Sequence, residues 1–114
     1  MQGEADDSVV VVLCTCPPAT AEGIAQTVVE ERLAACVSVV PSVTSVYRWQ
    51  GQLQRDEEAQ LVIKTTVARF DALSARVAAL HPYDTPEILG LPVEGGLPSY
   101  LSWVAASVEP SEEP

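Results

Sequence analysis

A run of apolar residues near the start of the chain, Val9–Cys14, constrains the fold more than any other segment. Its sequence, VVVVLC, is dominated by β-branched side chains and has no polar interruption. Uninterrupted apolar runs of this kind are typical of strands that are buried on both faces. The run therefore predicts a central strand of a sheet, with further layers of protein on either side.

Helical periodicity predicts three helices. The first runs from about Thr20 to Ala35, and the second ends at His81 and Pro82, because proline cannot continue a helix. Pro98 suits a first helical turn, so a terminal helix is expected over Pro98–Ser107. The second helix has an apolar face of Phe70, Leu73, Val77 and Leu80, and the large contacts of the third are Tyr100, Trp103 and Val104.

Alternating residues predict three further strands. Val37–Trp49 and Gln52–Thr65 form a long hairpin that turns at Gln50 and Gly51, and Glu87–Val93 forms a short last strand. The tip of the hairpin is too polar to be buried within one small domain. One face of the outgoing strand is expected to carry Val37, Val39, Val43, Ser45, Tyr47 and Trp49, and one face of the return strand Leu53, Ala59, Leu61, Ile63 and Thr65.

The order of these elements predicts an α+β fold. Strand, helix, strand, strand, helix, strand, helix is the ferredoxin-like split βαβ arrangement, an antiparallel sheet, with an additional C-terminal helix. An antiparallel sheet covered by helices on one face leaves its other face open. Since apolar residues occur on both faces, we expect other subunits to cover the open face.

Length and charge set the limits of the domain and its partners. The 114 residues suit one domain, which we place at residues 9–108 between acidic, solvated tails at 1–8 and 109–114. The formal net charge of −10, without a basic cluster, argues against a nucleic-acid partner. No segment is apolar enough to cross a membrane and the start lacks the features of a secretion signal, so we expect a cytoplasmic protein with no membrane partner.

The three cysteines are expected to be reduced. Cys14 and Cys16 are two residues apart on the first strand and project to the same face, where a disulfide between them would be strained. Reduced thiols in such a protein are either small buried hydrophobic groups or metal ligands. Both interpretations remain open for each cysteine, including Cys36.

The segment HPYDTPEI, His81 to Ile88, holds most of the candidate chemistry. His81 is the only imidazole, and it either ends the second helix by contacting its last carbonyls or binds a metal. Asp84 and Glu87 either hydrogen-bond the turn or form an acid/base pair. Because no nucleophile, oxyanion donor cluster or phosphate loop accompanies them, we expect no enzyme and no catalytic residue.

Polar and aromatic residues of the hairpin also allow two interpretations. Tyr47 and Trp49 could stack on a ligand, or they could be buried at a subunit contact. The acidic run Asp56–Glu58 is expected to form cross-strand ion pairs with Arg48 and Arg55. Neither feature identifies a function without knowledge of its neighbours.

Five motifs follow one another along the chain: VVVVLCTCP, ERLAAC, SVYRWQGQLQRDEEAQLVIKT, HPYDTPEI followed by LPV, and YLSWV. In order and spacing they resemble the CutA family, the divalent-cation tolerance proteins, over about residues 9 to 108. The resemblance implies a ferredoxin-like fold assembled as a tight cytosolic homotrimer, similar to the PII signalling trimers, with hairpins that interlock around the threefold axis. It also implies a link to copper and other divalent cations.

The resemblance further implies a metal site. Copper ligation in the family is attributed to a first-strand cysteine and two successive histidines, and these positions hold Cys14, Leu80 and His81 here. Thiolate and imidazole suit copper or zinc. We therefore predict Cys14 and His81 as metal ligands, with copper as the bound ion. The function is then either a trimer that buffers or senses copper and related cations, or a non-enzymatic PII-like signalling or scaffold trimer that binds a small molecule or protein partner.

Overall fold

A computed structural model describes residues 6–110 as one antiparallel sheet with three helices. The strands are in the order β2-β3-β1-β4, so β1 lies inside the sheet as predicted. This arrangement confirms the α+β, ferredoxin-like fold with an additional C-terminal helix. The elements are β1 Val9–Cys16, α1 Pro18–Glu30, β2 Cys36–Trp49, β3 Gln52–Thr66, α2 Val67–Leu80, β4 Leu89–Pro92 and α3 Pro98–Ser107.

The main core lies between the sheet and helices α1 and α2. Alternate residues of β1 and β3 point into it, and the register pairs Cys14 with Leu61. The predicted buried face of β3 is confirmed from Ala59 to Thr65, whereas Leu53 near the tip is 73% exposed. Fully buried core members are Val10, Val12, Cys14, Cys16, Val28, Leu61, Ile63, Leu73 and Val77.

Helix α3 covers one end of the opposite sheet face. Val104 is buried there against Val9 and Ala35. The prediction that Tyr100 and Trp103 make the large contacts of α3 is wrong, because both side chains remain largely exposed. The rest of this face is open within one chain, so β1 is completely covered on one face and only partly on the other.

The predicted end of α1 at Ala35 is also wrong. The helix ends at Glu30, because Arg32 adopts a left-handed conformation with φ of 60°. The amide of Arg32 then donates to the carbonyl of Val29 and that of Leu33 to the carbonyl of Val28, the hydrogen-bond pattern of a Schellman motif. Glycine usually occupies such a position, and its absence here removed the sequence signal for the helix end.

A β-bulge in β2 places the residues after it on the sheet face opposite to that of Val37 and Val39, although one shared face was predicted. The register pairs Val39 with Leu61 but Val43 with Glu58, so one extra residue of β2 lies between Val40 and Val43. Val39 therefore points into the main core, while Ser45, Tyr47 and Trp49 share the other face with Glu58. The hairpin turn is confirmed at Gln50 and Gly51, which have φ of 51° and 77°.

Two segment boundaries also differ from the predictions. Strand β4 covers only Leu89–Pro92, because the preceding residues belong to the loop after α2. At the N-terminus, the carbonyls of Asp6 and Ser8 accept hydrogen bonds from the first amides of α2, Ala68 and Val67. Part of the predicted tail is thus anchored, while residues 1–5 and 111–114 lie outside the described residues and the tails there stay a prediction.

Two adjacent threonines at the end of β3 differ in their hydrogen bonding. Thr65 donates its hydroxyl to the carbonyl of Leu33 at 2.7 Å, whereas the buried hydroxyl of Thr66 has no partner among residues 6–110. We expect Thr66→Val to raise the free energy of unfolding by about 1 kcal/mol, because it removes an unpaired buried hydroxyl. Thr65→Val is the matched control and should lower it by about 1 to 2 kcal/mol. Urea unfolding measures both, and a loss in both variants would contradict the prediction.

Candidate functional site

The loop after α2, Pro82–Ile88, is fixed at its start by His81. The imidazole is buried, its Nε2 lies 2.8 Å from the carbonyl oxygen of Thr15, and its Nδ1 lies 3.1 Å from the amide nitrogen of Tyr83. Since a carbonyl only accepts and an amide N–H only donates, Nε2 carries the proton and Nδ1 accepts. His81 therefore ties the loop to the end of β1 and uses both ring nitrogens to do so.

The thiol of Cys14 lies beside the same carbonyl. Its Sγ is 3.6 Å from the oxygen of Thr15, and the side chain is fully buried. Burial, followed by smaller electrostatic effects of Cys16, Glu87 and Glu58, raises the pKa of Cys14 to about 12. Burial likewise raises the pKa of Cys16. Cys14 is thus a protonated thiol in the metal-free protein.

The structure brings both predicted metal ligands together. Cys14 and His81 meet at one carbonyl oxygen, that of Thr15. Their thiol and imidazole suit a soft or borderline cation. No group of three or more His, Cys, Asp or Glu side chains that could hold a metal occurs within residues 6–110. Leu80, which precedes His81, packs against the main core and supplies no ligand.

An open cleft of about 690 Å³ lies next to this pair, between the hairpin and the loop. It gathers several residues that the sequence singled out for separate reasons, among them Tyr47, Trp49, Asp84 and Glu87. Of the two interpretations of Asp84 and Glu87, hydrogen bonding of the turn does not occur among the described residues, where His81 holds the turn instead. Both carboxylates line the cleft.

The side chains of the acidic run Asp56–Glu58 accept hydrogen bonds mainly from hydroxyl groups and not from arginines. Glu58 accepts a hydrogen bond of 3.1 Å from the phenol of Tyr83, and Asp56 accepts one from the phenol of Tyr47. Burial and then Glu58 raise the pKa of Tyr83 to about 12. The predicted cross-strand ion pairs are wrong for the described residues. The acidic run has one contact with an arginine there, an exposed contact of 3.9 Å between Arg55 and Glu57, which lie on the same strand.

Sequence reasoning gave Glu58 and Tyr83 no site role of their own, although it singled out the acidic run and the segment His81–Ile88 to which they belong. Glu58 belongs to a polar face of β3, which gave no reason to expect that its side chain would be 5% exposed. Tyr83 lies in a turn, and its contact with a residue 25 positions away is not a sequence pattern. The sequence did show aromatic and acidic residues in both the hairpin and the loop after α2, and the fold places these two segments side by side.

Comparison with known proteins identifies the family. Residues 10–107 match the family model described as CutA1 divalent ion tolerance protein. The chain belongs to the CutA1 family. A divalent-cation tolerance protein CutA from Thermus thermophilus is 53% identical over 95 residues, which cover 82% of this chain and 92% of that protein.

Solved structures of the CutA1 family share the fold. CutA from Xylella fastidiosa is 43% identical and superposes with a TM-score of 0.88, covering 90% of this chain and 99% of that one. CutA1 from Oryza sativa is 41% identical with the same TM-score, covering 93% of this chain and 98% of that one. As for membranes, no helix among residues 6–110 has the length and apolar character needed to span one.

Proposed function

We propose that this member of the divalent-cation tolerance family is a cytosolic homotrimer that binds copper or a related cation, in order to buffer or sense it. Cys14 and His81 are the proposed ligands. The observation that supports the proposal is that the Cys14 Sγ and the His81 Nε2 lie 3.6 Å and 2.8 Å from the same atom, the carbonyl oxygen of Thr15. The three cysteines are free, which suits a reducing compartment such as the cytosol.

Binding at this pair has a cost that would make it selective. The Cys14 thiol must lose a proton that burial helps it retain, and the imidazole must give up one of its two hydrogen bonds. Only a cation with high affinity for sulfur and nitrogen offsets these costs, and copper ranks above the other divalent first-row ions. Since binding releases a proton, affinity should fall as the pH falls.

A metal titration of the reduced protein tests the proposed ligands. We expect copper to bind stoichiometrically, and Cys14→Ser to lower the affinity by about tenfold or more through loss of one ligand. Cys36→Ser is the matched control, because it removes a thiol outside the pair and should leave the affinity unchanged. Zn²⁺, which has no redox chemistry, is titrated in parallel to separate binding from thiol oxidation. Equal losses in the two variants would contradict the assignment.

The exposed surface of the chain supports the proposed trimer. Between Ala59 and the turn at Gln50 and Gly51, the hairpin extends from the sheet as a two-stranded arm, because β1 pairs with β3 only from Ala59 to Thr66. Isolated two-stranded arms are marginally stable in water. The arm also exposes Val46 and Leu53, and the open sheet face exposes Leu89 and Leu91. Apolar surface of this extent is typical of a face that another subunit covers.

Sedimentation equilibrium tests the assembly directly. We expect three chains per particle at micromolar concentration, because permanent interfaces bury on the order of 2,000 Å² or more and hold at such dilution. Leu53→Glu places a charge on the arm and should weaken the assembly. Glu22→Gln on the exposed side of α1 is the control. A folded monomer of the unmodified chain would overturn the trimer.

The cleft supports a second candidate function, a non-enzymatic PII-like signalling or scaffold trimer that binds a small molecule. Its volume of about 690 Å³ falls in the range of small-molecule sites. Its lining combines aromatic rings with a few carboxylates, and it is separate from the Cys14 thiol, which is buried in the core. Metal binding and small-molecule binding can therefore be tested separately.

A further inference from the structure

Cys16 is a second buried thiol on β1, and the pair Cys14 and His81 leaves it without a role. Cys14 and Cys16 are two residues apart, both are fully buried, and both belong to the main core between the sheet and the helices. The Cα atoms of alternate strand residues lie about 7 Å apart, so two such side chains can lean towards one ion. After burial, Cys16 is the largest cause of the raised pKa of Cys14, as expected for neighbouring thiols.

His81 is a less available second donor than Cys16. Its Nε2 lies 2.8 Å from the carbonyl oxygen of Thr15 and its Nδ1 lies 3.1 Å from the amide nitrogen of Tyr83, so the imidazole binds a metal only after it gives up one hydrogen bond. The Cys14 thiol, a weak donor, is 3.6 Å from its acceptor. An ion held by the two thiols would therefore leave the loop after α2 anchored.

Two sulfur donors without a third ligand favour a particular kind of ion. Within residues 6–110, no group of three or more His, Cys, Asp or Glu side chains could hold a metal. Structural Zn²⁺ takes four ligands, whereas thiolates select the soft monovalent ion copper(I), which two sulfur ligands can satisfy. Two thiolates and one copper(I) carry a single net negative charge. Cys16 lies just before α1, and the N-terminal end of a helix favours such a charge.

We propose that Cys16 is a metal ligand of this protein, and that Cys14 and Cys16 together bind copper(I) through their sulfur atoms. The proposal rests on the proposed metal binding and deepens it, because it adds a ligand beside Cys14 and names the oxidation state of the ion. Each thiol releases its proton to solvent on binding, and no electron is transferred when the ion is supplied as copper(I). His81 keeps both hydrogen bonds in this form and serves as a ligand only for a divalent ion.

X-ray absorption at the copper edge tests the proposal on the unmodified protein, loaded without oxygen with one equivalent of copper(I). We expect two sulfur atoms and no nitrogen in the shell around copper. A shell that contains nitrogen, or a single sulfur, overturns the proposal. One sulfur with one nitrogen would at the same time support Cys14 and His81 as the ligands, so the proposed function would survive. Absence of copper binding in either oxidation state would reject both proposals.

Competition with the copper(I) chelator bathocuproine disulfonate measures the contribution of Cys16. Cys16→Ala should lower the copper(I) affinity by about tenfold or more through loss of one ligand. Alanine suits the position, because a buried cysteine packs as a small hydrophobic side chain. Cys36→Ala, the matched control, should change the affinity less than about twofold. An unchanged affinity in Cys16→Ala, or equal losses in the two variants, overturns the proposal. If Cys16→Ala does not fold, the sulfur count in the unmodified protein still decides.

Discussion

Between pH 9 and about pH 12 the folded protein should lose roughly 4 kcal/mol of stability through the Cys14 thiol alone. Burial raises the pKa of Cys14 from its ordinary value of 9.0 to about 12. Below pH 9 the thiol is protonated in both the folded and the unfolded protein, so its contribution to the free energy of unfolding is fully present. Above pH 9 the unfolded thiol ionises while the folded one keeps its proton, so the contribution is lost progressively until the folded pKa is reached.

Urea unfolding across this pH range, at fixed protein concentration, measures the loss. Cys14→Ala should flatten the alkaline part of the profile, and Cys36→Ala is the control for removal of a thiol at a less buried position. The pKa of Tyr83 is also raised to about 12, but its effect on the pH dependence of stability is the same in both variants. Solvent reduces that effect, because Tyr83 is partly exposed. Parallel profiles for Cys14→Ala and the unmodified chain would show that the thiol does not govern alkaline unfolding.

Replacing His81 with phenylalanine should lower the free energy of unfolding by about 2 to 4 kcal/mol. The substitution keeps a ring in the buried position but removes both hydrogen bonds, so the carbonyl of Thr15 and the amide of Tyr83 lose their partner. The loop should then detach from β1. Hydrogen exchange at the Tyr83 amide reports this detachment separately from global unfolding.

Two smaller substitutions separate the bonds of His81. The carbonyl oxygen of asparagine can take the place of Nδ1 and accept from Tyr83, whereas the amide nitrogen of glutamine can take the place of Nε2 and donate to Thr15. Each variant should therefore lose about half as much stability as His81→Phe. If all three variants were as stable as the unmodified chain, His81 would merely end α2 and the double anchor would be refuted.

Local patterns were sufficient to predict most of the fold. The apolar run of β1, the turn at Gln50 and Gly51 and the proline at the start of α3 each depend on residues that are adjacent in sequence. The end of α1 was missed because Arg32 adopts a left-handed conformation without being glycine. The reversal in β2 was missed because a bulge is set by pairing with β3, which strand periodicity does not contain.

The candidate site was predictable in its residue types but not in its contacts. The sequence placed Cys14 and His81 at the ends of a strand and a helix, yet only the fold shows that they share the carbonyl of Thr15. The hydrogen bond between Glu58 and Tyr83 could not be predicted, because it joins residues that are 25 positions apart. Long-range contacts of this kind follow from topology and not from periodicity.

Because of the bulge in β2, the number of residues in that strand determines which sheet face its second half presents. The residues before the bulge pack inside their own domain, and those after it turn their aromatic rings towards the cleft. Deleting one residue between Val40 and Val43 would restore simple alternation and turn Tyr47 and Trp49 away from Glu58, although every side chain of the cleft would still be present. One backbone insertion thus lets a single continuous strand serve two different surfaces.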